Sequence, residues 1–205
     1  TIISFSSDDN SKDDFGPHTP GFVSVKYGCS KSLKAAINEN TAAVLIEPIQ
    51  GEGGIIVPPE NYLKEVRDIC TKKNVLMLLD EIQSGLGRTG KHFAYQHSCV
   101  NCSCDIGCKP NQPQESKPDG LILGKALGGG FMPVSCFLSS KEVMQWMNPG
   151  SHGSTFGGNP LAAAIAKRSI ELLDEDKLIE NSKVMGEYFK KSLIDMNSKI
   201  INCLL

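Results

Sequence analysis

The stretch AAVLIEPIQGEGGIIVPPENYLKEVRDICTKKNVLMLLDE, residues 42–81, decides the fold. Its opening, AAVLIE (42–47), is an apolar run closed by Pro48 and reads as a buried strand. QGEGG (50–54) is too rich in glycine to be anything but a turn-forming loop. PENYLKEVRDICTKKN (59–74) places Tyr62, Leu63, Val66, Ile69 and Cys70 at helical spacing, with a proline near the start. NVLMLLDE (74–81) reads as a second buried strand, from Val75 to about Leu79. Strand, helix and strand in so short a span make a βαβ unit, and hence a parallel sheet.

Working outward, residues 30–40 suit a short helix, and the polar segment 1–22, with FGPHTPGF inside it, suits an irregular arm. Downstream, GLILG (120–124) and VSCFLS (134–139) read as further strands and KEVMQWM (141–147) as a short helix. Two longer helices are expected over 160–174 and 176–197, the second placed to connect into another domain. Residues 98–118 interrupt the pattern with a cysteine cluster and the Pro-rich KPNQPQESKP, the composition of a surface insertion. No internal repeat is present.

The chain has 205 residues, a net charge of −2, 40% hydrophobic and 21% charged residues, enough to bury a sizeable core and too apolar for disorder. That charge balance offers no electrostatic footprint for nucleic acid or anionic lipid. No apolar run approaches the roughly 18 residues of a membrane span. The opening TIISFSSDDNSKDD lacks the pattern of a signal or transit peptide. Because the chain starts at Thr1 and stops at INCLL in mid-pattern, a piece of a longer polypeptide is expected. Of its eight cysteines, Cys29, Cys70, Cys136 and Cys203 are scattered, while Cys99, Cys102, Cys104 and Cys108 crowd into CVNCSCDIGC. A disulfide framework is the poorer reading of that usage, so a reducing, cytoplasmic setting is expected, or a mitochondrial one if a targeting segment precedes residue 1. C-x2-C-x-C-x3-C is tight for a tetrahedral metal site; metal ligands, redox-sensitive thiols and an incidental insertion remain alternatives.

Several residues sit where chemistry is done in open α/β sheets, beyond the carboxyl ends of strands. Asp80 ends the second strand, where it either holds a cationic group or caps the following turn. Lys125 follows the strand GLILG. In an apolar setting a lysine's pKa falls, which suits it to carbonyl chemistry, against the alternative of a solvated loop lysine. A phosphate loop is excluded there, because Asp119 and Ala126 stand where glycine and Ser or Thr are required. GLGRTG (85–90) matches G-x-G-x-x-G in letters but neither follows a strand directly nor opens a helix, so it is a poor dinucleotide site. SHGSTFGGNP (151–160) sets Ser154 and Thr155 ahead of a helix start, a place suited to an anion or to a plain turn. Glu47 and Glu52, in EPIQGEGG, read as loop carboxylates.

Taken in order, AAVLIEPIQGEGG, LLDEIQSGLGRTG, LILGKALGGGFMPVS and HGSTFGGNPLA resemble the class III, pyridoxal-phosphate-dependent aminotransferases of fold type I. The resemblance runs from about residue 15 to 185, leaving out the Cys-rich insertion. It implies an α/β fold, the partial cofactor-binding large domain over 1–174 and a connector helix with the start of a small domain over 175–205. Within the family, FGPHTPGF and PVS look most like the ornithine branch, with the acetylornithine and 4-aminobutyrate branches as alternatives. The implied reaction moves the δ-amino group of ornithine to a 2-oxoacid acceptor, 2-oxoglutarate, through a pyridoxamine form of the cofactor.

Position by position, the resemblance makes Lys125 the lysine that carries pyridoxal phosphate and shuttles the substrate proton. Asp80 would pair with the protonated pyridine nitrogen and Gln83 with the ring's phenolic oxygen. Thr155, with Ser154 beside it, would reach the phosphate of a neighbouring subunit's cofactor, which implies a homodimer with shared active sites. Glu52 resembles the glutamate that pairs with a substrate-reading arginine. The family's phosphate-cup loop, stacking aromatic and carboxylate-binding arginine would all lie before the matching region, and the arginine partner of Glu52 beyond residue 205. The chain alone is therefore expected to hold half a cofactor site and to be inactive or nearly so. The step of 45 residues from Asp80 to Lys125 is long for the family because the insertion lies within it. A non-enzymatic alternative is a metal- or redox-responsive interaction module on a decayed transaminase scaffold.

Overall fold

Four strands form one sheet in the order β1-β2-β3-β4: β1 (Ala43–Ile46), β2 (Leu76–Asp80), β3 (Gly120–Leu123) and β4 (Cys136–Ser139). The computed structural model describes residues 2–6, 8–98 and 116–197. β1, β2 and β3 are parallel, with Ala43 opposite Leu76 and Asp80 opposite Ile122. β4 returns antiparallel to β3, Leu123 facing Cys136. Between these two strands lies a 3₁₀ turn over Lys125–Gly128 and no full helix, so the chain has too short a connection for a parallel crossover. The expected βαβ unit over 42–81 is present.

Around the sheet run α1 (Asp9–Lys12), α2 (Ser30–Ala36), α3 (Tyr62–Lys73), α4 (Lys141–Met144), α5 (Pro160–Glu175) and α6 (Leu178–Asp195). The arm expected to be irregular holds a 3₁₀ turn at Ile2–Phe5 and the single turn α1, which Asp8 caps by accepting from the Asn10 N–H. In α3, Tyr62, Leu63, Val66 and Cys70 are buried, the face that the spacing marks out. Its end is a left-handed Asn74, whose N–H closes on the carbonyls of Cys70 and Thr71. α5 begins with Asn159 accepting from the Ala162 N–H, followed by Pro160 at its first position.

The main core lies on the α2/α3 side of the sheet, with Leu33, Val44, Ile46, Tyr62, Leu63, Val66, Cys70, Met77 and Leu79. A second cluster gathers Leu86, Leu123 and Leu127 with Ala166 and Leu173 of α5. The two apolar strands were expected to be buried on both faces. They alternate instead: in β2 Met77 and Leu79 are fully covered while Leu76, Leu78 and Asp80 are half-buried, and Leu45 of β1 is 40% exposed. This alternation fixes the site, because it turns Asp80 away from the main core and the next residue, Glu81, into it.

Candidate active site

At the carboxyl ends of β2 and β3 the register sets Asp80 beside Ile122, three residues before Lys125. Lys125 has a φ of +41°, in a region that non-glycine residues seldom occupy and that concentrates at functional sites. Its Nζ donates to Gln83 Oε1 and lies 3.6 Å from Glu52 Oε1. Three of the residues singled out in the sequence, from three separate segments, are thus gathered on one ammonium. With Lys125 and Glu52 both exposed, the ion pair adds little to stability. Its significance is positional.

Asp80 is half-buried, and its Oδ1 accepts from the Ile82 N–H at 2.9 Å. Among the described residues no donor reaches its second oxygen. The carboxylate therefore braces the turn with one oxygen, as one of the two sequence alternatives expected, and leaves the other without a protein donor among the described residues.

The loop QGEGG is held against the same turn. Gly51 N donates to Glu47 Oε2 at 2.9 Å, and the Tyr27 hydroxyl donates to the Glu47 and Pro48 carbonyls. Burial, with Tyr62 and Glu47 nearby, raises the Tyr27 pKa, so the phenol stays a donor. A β-carbon on Gly51 would sit 1.9 Å from Gln83 Nε2; only glycine lets loop and amide approach this closely. Neither Gly51 nor Tyr27 stood out in the sequence, since a loop glycine and a lone tyrosine carry no pattern.

Glu81 was passed over as well, although strand alternation pointed it inward. It is 1% exposed. Its carboxylate accepts from Ser84 Oγ at 2.7 Å and from the N–H groups of Ala94 and Tyr95 at 3.0 Å each. Burial pushes its pKa up, partly offset by these donors.

Ser154 and Thr155 lie on the exposed loop before α5, where Ser154 Oγ accepts from the Gly157 N–H. Among the described residues neither is hydrogen-bonded to Lys125, Asp80 or Gln83. GLGRTG is a packing element, not a dinucleotide loop. Positions that would carry β-carbons at Gly87 and Gly90 lie 3.0 Å from Ile179 and 2.8 Å from Lys183 of α6. Cys99, Cys102, Cys104 and Cys108 lie outside the described residues. Among the described residues no His, Cys, Asp and Glu cluster could hold a metal ion, and no helix is long and apolar enough to cross a membrane. A cleft of about 750 Å³ opens at the opposite ends of the strands, beside Arg67 and Asp119. Those two form a 2.7 Å ion pair, and Asp119 also accepts from the Met77 N–H, so the cleft wall braces α3 to β2.

The donor set fits pyridoxal phosphate: a primary amine for its aldehyde, an amide for the ring oxygen and a free carboxylate oxygen for the ring nitrogen. The sequence profile of the class-III aminotransferases matches residues 1–203. The chain is 49% identical to the ornithine aminotransferase of Bacillus subtilis over 199 residues, 97% of this chain and 46% of that protein. Its fold matches the ornithine aminotransferase of Toxoplasma gondii, whose active site holds partially occupied PLP, with a TM-score of 0.83 and 41% identity. That match covers 94% of this chain and 42% of the other. The acetylornithine aminotransferase of Elizabethkingia anophelis matches at a TM-score of 0.75 and 41% identity, over 86% of this chain and 43% of that one. The chain spans less than half the length of these relatives.

Proposed function

Since this chain belongs to the class III aminotransferase family, we propose that it supplies the lysine-bearing part of an ornithine aminotransferase. The reading rests most on one observation, the meeting of Lys125, Gln83 and Glu52 at the carboxyl end of the sheet, where Asp80 closes β2. Bound pyridoxal phosphate would supply an aldehyde for amino groups and a ring that accepts electrons as the substrate Cα or Cδ proton leaves.

The residues divide the remaining work. Lys125 holds the cofactor through Nζ and, when freed by an incoming amine, carries the substrate proton. Gln83, beside the lysine, would offer its amide to the ring oxygen. Asp80 keeps the ring nitrogen protonated through the oxygen that no protein donor occupies. Glu52, now 3.6 Å from Lys125 Nζ, would pair with a substrate-reading arginine. Ser154 and Thr155 serve a second subunit's cofactor phosphate in a homodimer. Exposed Phe131, Trp146 and Phe156, 79–86% accessible on the loops on either side of β4 and α4, support a subunit contact there.

Ornithine is favoured as donor over N-acetylornithine and 4-aminobutyrate because of the 49% identity to an ornithine enzyme over nearly the whole chain. The reaction is tested with the protein at its full natural length, with pyridoxal phosphate, 2-oxoglutarate and each donor in turn. Glutamate forming fastest with ornithine supports the proposal. Faster turnover of N-acetylornithine or 4-aminobutyrate moves the protein to that branch. No glutamate from any donor refutes it.

A further inference from the structure

Glu81 is the deepest charged side chain near the site, and the roles above leave it unused. Its surroundings are built to hold its carboxyl group in place. Three donors converge on the carboxylate: Ser84 Oγ and Ala94 N on one oxygen, Tyr95 N on the other. Its backbone is held equally firmly. Glu81 N donates to Ile122 O, extending the β2–β3 ladder by one residue, and its carbonyl accepts from Gly85 N, both at 3.0 Å. A β-carbon at Gly85 would lie 2.7 Å from that carbonyl oxygen, so the turn closes this tightly only with glycine.

These bonds define a peg. On one side Glu81 fastens to the 3₁₀ turn Ala94–Ser98, whose Tyr95 lies in the main core. On the other side are the residues that face the ligand, Asp80 immediately before it and Gln83 two positions after. Ser84, at the turn's far end, returns to the same carboxylate. Both ends of the Asp80–Ser84 turn are therefore fixed to the core through one side chain.

We infer that Glu81 is a positioning residue for the cofactor: its buried, triply bonded carboxylate sets the path from Asp80 to Gln83 and so the aim of both at the ring. This rests on the cofactor reading given above. A neutral amide cannot replace the carboxylate. Glutamine offers one oxygen and one NH₂, and in either orientation the Ala94 or Tyr95 N–H is left facing amide hydrogens. The resulting shift of the turn reaches Asp80 and Gln83 directly.

The test uses the protein at its full natural length as wild type, Glu81→Gln, Ser84→Ala and Asp119→Ala. Each is stripped of cofactor and titrated with pyridoxal phosphate, reading affinity and the position of the visible absorption band. Thermal melting of the cofactor-free proteins is measured alongside. Glu81→Gln is expected to raise the dissociation constant on the order of tenfold, the scale set by a lost charged hydrogen bond, and to move the band. Ser84→Ala, which removes one of the three donors, should shift both in the same direction by less. Asp119→Ala, at the opposite end of the sheet, should lower the melting temperature and leave affinity and band unchanged. Wild-type affinity and band in Glu81→Gln overturn the inference. So does an Asp119→Ala protein that loses as much affinity, because binding would then merely follow stability. If Glu81→Gln does not fold, Ser84→Ala decides alone: a raised dissociation constant supports the inference and an unchanged one overturns it. A wild type that binds no pyridoxal phosphate refutes the cofactor reading instead, and the two failures are thereby distinct.

Discussion

Replacing Gly51 by alanine adds one methyl group where the candidate site has no room. The new β-carbon would stand 1.9 Å from Gln83 Nε2 and 2.6 Å from its Cδ, whereas ordinary contact begins at 3.4 Å. The amide must therefore retreat by about 1.5 Å. Gln83 is a half-buried, flexible side chain, so its retreat costs the fold little. Gly51 is not among the residues with a positive φ, so alanine fits its backbone and even gains about 0.4–1 kcal/mol by restricting the unfolded chain. Net stability should change by less than about 1 kcal/mol. The site should respond very differently. Gln83 loses its place beside Lys125, and a displacement of about 1 Å in a positioning group can cost on the order of a hundredfold in rate. Thermal melting and glutamate formation from ornithine and 2-oxoglutarate, measured on the same preparations, separate the two effects. A Gly51→Ala protein as active as wild type would refute the argument that this loop and Gln83 are packed to serve the site. A large loss of stability would refute the claim that only the amide has to move.

Three further outcomes follow from the packing. Leu79→Ala empties a fully buried position at the centre of the core and should cost roughly 2–5 kcal/mol in chemical denaturation; a loss under about 1 kcal/mol would mean the α2/α3 layer collapses freely onto the sheet. Asn159→Ala removes the cap that accepts from Ala162 N at 2.9 Å and should cost about 1 kcal/mol, measured the same way. Burial holds the Glu81 carboxyl above its ordinary 4.5. The folded form then binds the proton more readily, so the stability Glu81 contributes is complete below pH 4.5 and is lost as pH rises through its raised folded value. The stability of wild type relative to Glu81→Gln should therefore fall as pH rises above 4.5, and a constant or rising difference contradicts the assignment.

What could be read from the sequence was what repeats or ends abruptly. Helical spacing marked the buried face of α3, and the apolar runs at 42–47 and 74–79 marked β1 and β2. Asp80 and Lys125 were conspicuous because a charged residue closing an apolar strand has a definite place in a parallel sheet. Contacts between distant segments carried no such mark. Gln83 and Lys125 are 42 positions apart, and only the β2–β3 register brings them together. Glu81 was masked by Asp80, since two adjacent carboxylates look alike until alternation sends one outward and the other into the core. The glycines of GLGRTG match a dinucleotide fingerprint in letters only, and their freedom is used to let α6 approach. Such packing depends on a helix some 90 residues away and leaves nothing periodic in the local sequence.

Lys125 is proposed to hold pyridoxal phosphate, and borohydride reduction of the loaded protein tests this most directly. Protein of full natural length is loaded with the cofactor, reduced, digested and mapped by mass. A pyridoxyl adduct is expected on Lys125 alone, and it should be lost in Lys125→Ala. An adduct on another lysine, or none in a protein that is otherwise folded, would contradict it.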